Sequence, residues 1–171
     1  MSPRSQDIKQ SGLIGFLAQP DAPTTGGVVI LPTIFGVNAF VRGYAETLAR
    51  AGLAAAVWDL YEGLPLTTDY EESKSRARKL SDAGTQAKVK QWIDHMLNDL
   101  QLTSVGVIGF CLGGRYALMT AAQDTRIKAC AAAYPSIDSP RLPSQELDAV
   151  AVAAGFAAGS LRCMKPCSAS G

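Results

Sequence analysis

The sequence predicts an α/β fold with a mostly parallel sheet and helices on both faces. Short unbroken apolar runs, helical-period segments alternating with them, and glycine-rich breaks at the junctions carry that reading. Unbroken runs are expected of strands covered on both faces, whereas a half-exposed strand would alternate apolar with polar. Alternation of strand and helix further implies right-handed crossovers between parallel neighbours.

The elements follow in order. Gly12 to Ala18 (GLIGFLA) reads as a short strand, and residues 19–27 (QPDAPTTGG) form a turn of helix and strand breakers. Val28 to Leu31 (VVIL) is a buried strand. Phe40, Tyr44, Ala45 and Leu48 recur at helical steps up to Gly52, a glycine stop. Leu53 to Trp58 is again a continuous apolar run. Asp69 to about Ser81 is charged and helical in type. From about Gln86 to Leu100 a second helix sets Val89, Trp92, Ile93, Met96, Leu97 and Leu100 on one face. Ser104 to Ile108 is the next strand, Tyr116, Ala117, Met119 and Ala121 continue as helix, and Ile127 to Tyr134 (IKACAAAY) is another buried strand. Glu146 to Ala154 reads as a helix. No repeat or low-complexity linker divides residues 1–171, so one domain is expected. Residues 155–171 (GFAAGSLRCMKPCSASG) show no strand of useful length. The sheet is therefore expected to end on an exposed apolar edge at Ile127 to Tyr134, open to self-association.

Composition narrows the partners. The chain has 171 residues, 47% of them hydrophobic, with 16 basic and 15 acidic side chains and a net charge of +1. Without a clustered basic face, neither nucleic acid nor an anionic membrane is expected as partner. The polar start MSPRSQDIKQ is unlike a secretory signal, and no apolar run reaches the ~18 residues of a membrane span, so a cytoplasmic location is expected. Cysteines at 111, 130, 163 and 167 match no disulfide framework. Cys163 and Cys167 have no nearby histidine and no second pair, so no metal site is expected.

The chemistry concentrates at Gly109-Phe110-Cys111-Leu112-Gly113-Gly114. A strand, then Gly-x-Cys-x-Gly-Gly, then a helix is the pattern of a nucleophile elbow with cysteine in the serine position. Gly109 and Gly113 leave room where a Cβ would collide with a crossing element. Cys111 would sit over the first turn of a helix, whose unpaired N–H groups favour a thiolate and a developing oxyanion. The competing reading is a small buried residue at a tight turn, which the paired glycines disfavour. A dinucleotide site fails because Gly109, Gly113 and Gly114 do not make G-x-G-x-x-G.

GFCLGG, with PTIFGVN at Pro32 to Asn38 and DLYEG at Asp59 to Gly63, resembles the dienelactone hydrolases (carboxymethylenebutenolidases), a branch of the α/β-hydrolase fold. The resemblance covers roughly residues 10 to 150. It implies hydrolysis of small carboxylic esters or lactones by a Cys-His-Asp triad, with no cofactor. Cys111 matches the family's nucleophile, and the backbone N–H groups of Leu112 and Ile34 match its oxyanion hole. A cationic patch for the substrate carboxylate is also implied, for which Lys74, Arg76 and Arg78 are candidates; a solvated helix face is the alternative.

Two departures bear on activity. Thr33 stands where the best-known branch carries a glutamate, and it reads as a strand-end threonine bonded to nearby backbone. The triad order on this fold is nucleophile, Asp, His. The single histidine, His95, instead precedes Cys111 and reads as a surface helix residue. Asp124, Asp138 and Asp148 follow Cys111 with no imidazole to orient. These departures predict a truncated or frame-shifted member of the family. Its alternatives to catalysis are a binding protein on the same scaffold and a fragment without function.

Overall fold

Two strands that differ sharply in polarity pair at the start of the chain. The computed structural model describes residues 2–138, 140–154 and 161–164, the last four by backbone only. β1 (Arg4–Gln10) and β2 (Leu13–Gln19) form an antiparallel hairpin closed by Ser11 and Gly12, both at positive φ (53° and 79°). Two central residues in the left-handed region match the right-handed twist of the flanking strands. β1 lies outside the expected elements: it is exposed except at Ile8, and its polar sequence carries no core pattern.

The remaining elements follow the predicted alternation: β3 (Gly26–Leu31), α1 (Ala39–Arg50), β4 (Ala54–Trp58), α2 (Tyr70–Ala77) and α3 (Asp82–Asp94). A π-helical turn over His95–Asp99 extends α3, followed by β5 (Ser104–Phe110), α4 (Leu112–Gln123), β6 (Ile127–Ala133), α5 (Ala149–Ala154) and β7 (Leu161–Met164). The sheet order is β1-β2-β4-β3-β5-β6-β7. β1, β2 and β4 pair antiparallel, and every pairing from β4 to β7 is parallel.

Helices cover both faces, as predicted. On one, Val41, Ala45 and Ala49 of α1 pack on Phe16, Val28, Ile30, Ala55 and Val57. On the other, Val89, Trp92, Ile93 and Met96 from α3 and its π turn join Tyr116, Ala117 and Met119 of α4 over Leu17, Val29, Leu31, Val105 and Val107. An open groove of about 500 Å3 runs over β3, β5 and β6, lined by Val28, Gly106, Ile108, Ala129 and Ala131 among others. None of the described helices is long and apolar enough to cross a membrane.

One expectation is corrected in part. Along Ile127 to Tyr134 the edge is covered from Cys130 to Ala133, where β7 pairs with β6 from Cys130 opposite Leu161 to Ala133 opposite Met164. A strand of four residues therefore forms inside the segment in which no strand of useful length was expected. Its four residues are too short for an apolar pattern, and they gain hydrogen bonds only because β6 offers an open ladder. Residues 155–160 and 165–171 of that segment lie outside the described residues.

Candidate active site

β5 delivers Cys111 to the carboxyl end of the sheet and α4 begins on the next residue. Cys111 has φ 53° and ψ −115°. A non-glycine residue there carries strain on the order of 1–3 kcal/mol and persists only where its surroundings over-determine it. Here they do. Its N–H donates to the Ala133 carbonyl at 3.0 Å and its own carbonyl accepts from the Ser136 N–H at 2.9 Å, tying the elbow to the end of β6. The Gly113 N–H donates to the Pro32 carbonyl at 3.1 Å, tying it to the end of β3.

The three glycines are explained by what a Cβ would strike. At Gly109 it would run into the Gly113 carbonyl, and at Gly113 into the Leu31 and Pro32 carbonyls. At Gly114 it would press on Pro135 Cα and the Ala133 carbonyl at 3.0 and 3.1 Å. The strain at Cys111 makes a testable contrast with the usual order of propensity. Cys111→Gly is expected to be more stable than Cys111→Ala by about 1 kcal/mol, because only glycine relaxes at positive φ. Equal urea midpoints for the two variants would show an unstrained elbow.

The candidate backbone donors come from the residue that follows the thiol and from the loop after the neighbouring strand β3. Leu112 is the first residue of α4, so its N–H has no carbonyl one turn back to bond. Ile34 lies in the loop from Pro32 to Asn38, in a turn closed by the Gly36 N–H on the Thr33 carbonyl at 3.0 Å, with Gly36 at φ 67°. The Thr33 hydroxyl accepts from the Phe35 N–H at 3.2 Å, as expected of a residue bonded to nearby backbone. Asn38 then caps α1 by accepting from Val41 N–H.

Tyr61, to which the sequence reading assigned no role, reaches into this loop. Its hydroxyl donates to the Ile34 carbonyl at 2.7 Å and approaches the Ser73 carbonyl at 3.3 Å. Burial pushes its phenol up to about 12, and the Arg76 guanidinium pulls it the other way. The Asp59 carboxylate holds the DLYEG turn by accepting from Tyr61 N–H and Gly63 N–H.

The three candidate cations do not converge. Arg76 is 18% exposed, bonds the Pro65 carbonyl and Glu72, and sits 5.8 Å from the Tyr61 ring centre. Lys74 lies over the Tyr70 ring instead, and Arg78, which closes α2, is exposed. An aromatic group of Phe40, Tyr44, Phe110 and Tyr134 borders the elbow, with Phe40 and Tyr134 exposed.

His95 is corrected from a surface residue to a buried one. It is 9% exposed, its Nδ1 lies 2.7 Å from Asp99 Oδ2, and it meets the Trp92 ring edge-on. It stands three residues after Trp92 on the same helix face, and it opens the π turn that Leu100 N–H closes on the His95 carbonyl. β5 begins beside this turn and ends at Cys111, so roughly 20 Å of strand separates imidazole from thiol. Among the described residues no group of three or more His, Cys, Asp or Glu side chains is placed to hold a metal. The side chains of Cys163 and Cys167 lie outside the described residues.

A buried ion pair supports the elbow from behind. Both Arg115 Nη atoms bond the Asp82 carboxylate, at 2.5 and 2.9 Å, with the side chains 2% and 0% exposed. Leu147 closes the network: its carbonyl accepts from Arg115 at 2.7 Å and its N–H donates to Asp82 at 2.9 Å.

Comparison with known proteins gives a consistent picture. The model of the dienelactone hydrolase family matches residues 13–160. A carboxymethylenebutenolidase of Rhodococcus opacus is 35% identical over 107 residues, covering 61% of this chain and 42% of that protein. One from Pseudomonas putida is 34% identical over 122 residues, covering 65% and 50%. The chain thus spans about half the length of the curated relatives it matches. Among solved structures, a Klebsiella pneumoniae protein proposed to be a dienelactone hydrolase superposes with a TM-score of 0.76 at 22% identity, covering 90% of this chain and 68% of that one. The dienelactone hydrolase of Anabaena variabilis gives 0.56 at 27% identity, covering 77% and 63%.

Proposed function

The chain belongs to the dienelactone hydrolase family, and from that premise we propose that it cleaves small carboxylic esters or lactones with the Cys111 thiol as nucleophile. The observation that carries this is the strained Cys111 backbone, wedged between β3 and β6 at the head of α4. Strain of this kind gathers at reactive positions. The relatives named carboxymethylenebutenolidase support the substrate class.

In the proposed reaction the Cys111 thiol gives its proton to water, and its sulfur bonds to the carbonyl carbon as the C=O π pair moves onto oxygen. The N–H groups of Leu112 and Ile34 stabilise that oxyanion. Collapse breaks the ester C–O bond, and the departing alkoxide takes back from water the proton the thiol gave up. Water then cleaves the thioester, releasing the acid and restoring the thiol. Gly109, Gly113 and Gly114 serve by letting the elbow close. Arg76, beside Tyr61, is the proposed attractor of a substrate carboxylate, with Lys74 and Arg78 on the solvated side of α2. No step calls on a cofactor.

Deacylation is the slower half in this chain, because its one histidine stands at the far end of β5. With p-nitrophenyl acetate, one p-nitrophenolate per chain is expected in a burst followed by little turnover. Intact mass should show one acetyl group, absent in Cys111→Ala. An undiminished burst in Cys111→Ala would overturn the reading.

A further inference from the structure

An oxyanion donor is useful only if it does not move, and Ile34 lies in a loop without regular structure. The peptide planes on either side of Ile34 are nevertheless both pinned. The Thr33 carbonyl, which shares its plane with the Ile34 N–H, accepts from Gly36 within the loop. The Ile34 carbonyl accepts from the Tyr61 hydroxyl, 27 residues away. Fixing both planes fixes φ and ψ at Ile34 and so the direction of its N–H.

We infer that Tyr61 is a positioning residue that aims the Ile34 N–H at the developing oxyanion; the inference rests on the hydrolase reading above. Three features suit Tyr61 to the task. Its ring packs on the loop, lying 3.6 Å from where a Cβ on Gly36 would stand. Its own backbone is held by Asp59, so the ring is anchored at both ends. Its hydroxyl also meets the Ser73 carbonyl, which links the Ile34 loop to α2 and Arg76. With its phenol at about 12, it stays a donor across the working pH range. Without the hydroxyl, the Ile34 carbonyl loses a bond that ties it to a separate element.

Two reactions of the same thiol separate this role from a merely structural one. Acylation by p-nitrophenyl acetate passes through an oxyanion. Alkylation by iodoacetamide, in which sulfur displaces iodide, does not. In Tyr61→Phe, whose ring fills the same space, the acylation burst is expected to slow about tenfold or more, while the alkylation rate of Cys111 and the unfolding midpoint stay near those of the unaltered chain. Equal acylation rates in the two chains would overturn the inference. So would a proportional fall in both reactions, which would place Tyr61 in thiol reactivity or folding. If the unaltered chain is alkylated at Cys111 but never acylated, the hydrolase reading fails and takes the inference with it.

Discussion

Gly113→Ala is expected to destabilise the chain by roughly 3 kcal/mol or more, among the largest effects of any single methyl group in this protein. The added Cβ would run into the Leu31 carbonyl, with the Pro32 carbonyl alongside. Neither can yield easily. Leu31 is fully buried and paired with Gly109 in the centre of the sheet, and the Pro32 carbonyl already accepts from Gly113 itself. Relief requires α4 to withdraw from β3, opening the contact that shapes the elbow. Gly43→Ala is the matched control. Nothing lies within 4 Å of its added Cβ on the exposed side of α1, so the same change should stabilise by up to about 1 kcal/mol through helix propensity. Urea unfolding of the two variants measures the contrast, and a native-like midpoint for Gly113→Ala would refute the packing argument.

Arg115→Ala should cost about 3–5 kcal/mol, and Asp82→Ala a similar amount. Each leaves a fully buried charge without its partner, and the Leu147 peptide loses one of its two bonds in either case. Asp82 is also the first residue of α3, where a carboxylate suits the helix dipole. Arg115 stands in the first turn of α4, so the pair clamps two helix starts and the segment before α5 around the elbow. The double change Asp82→Leu with Arg115→Met removes both charges and is expected to cost far less than the sum of the single losses. Losses below about 1 kcal/mol for the single variants would show that the charges are solvated on unfolding of the 140s segment alone.

How far the sequence carried differs from element to element. The elbow was legible because its information is local: a strand, a spaced set of glycines and a cysteine fall within one stretch of eleven residues. β3, β4 and β5 were legible for a related reason, since strands buried on both faces must be apolar throughout. β1 was missed because an edge strand held by main-chain bonds needs no apolar pattern; the Ser11–Gly12 pair between it and β2 was the available signal. β7 escaped because four residues are too few to show a period.

His95 was misplaced for a different reason. Its neighbour Asp94 suggests the polar margin of the helix, but His95 stands three residues after the buried Trp92 and so shares its face, meeting the indole edge-on. Tyr61 and Ile34 are separated by 27 residues, Asp82 and Arg115 by 33, and no spacing rule joins them. Sequence alone therefore determined the order of elements between β2 and α5, the family and the cysteine at the turn, because backbone sterics and burial act on neighbours along the chain. Tertiary structure alone decided which carbonyl Tyr61 would hold, which carboxylate Arg115 would meet and where the histidine would lie. Those depend on distances between elements, which exist only once the sheet has brought them together.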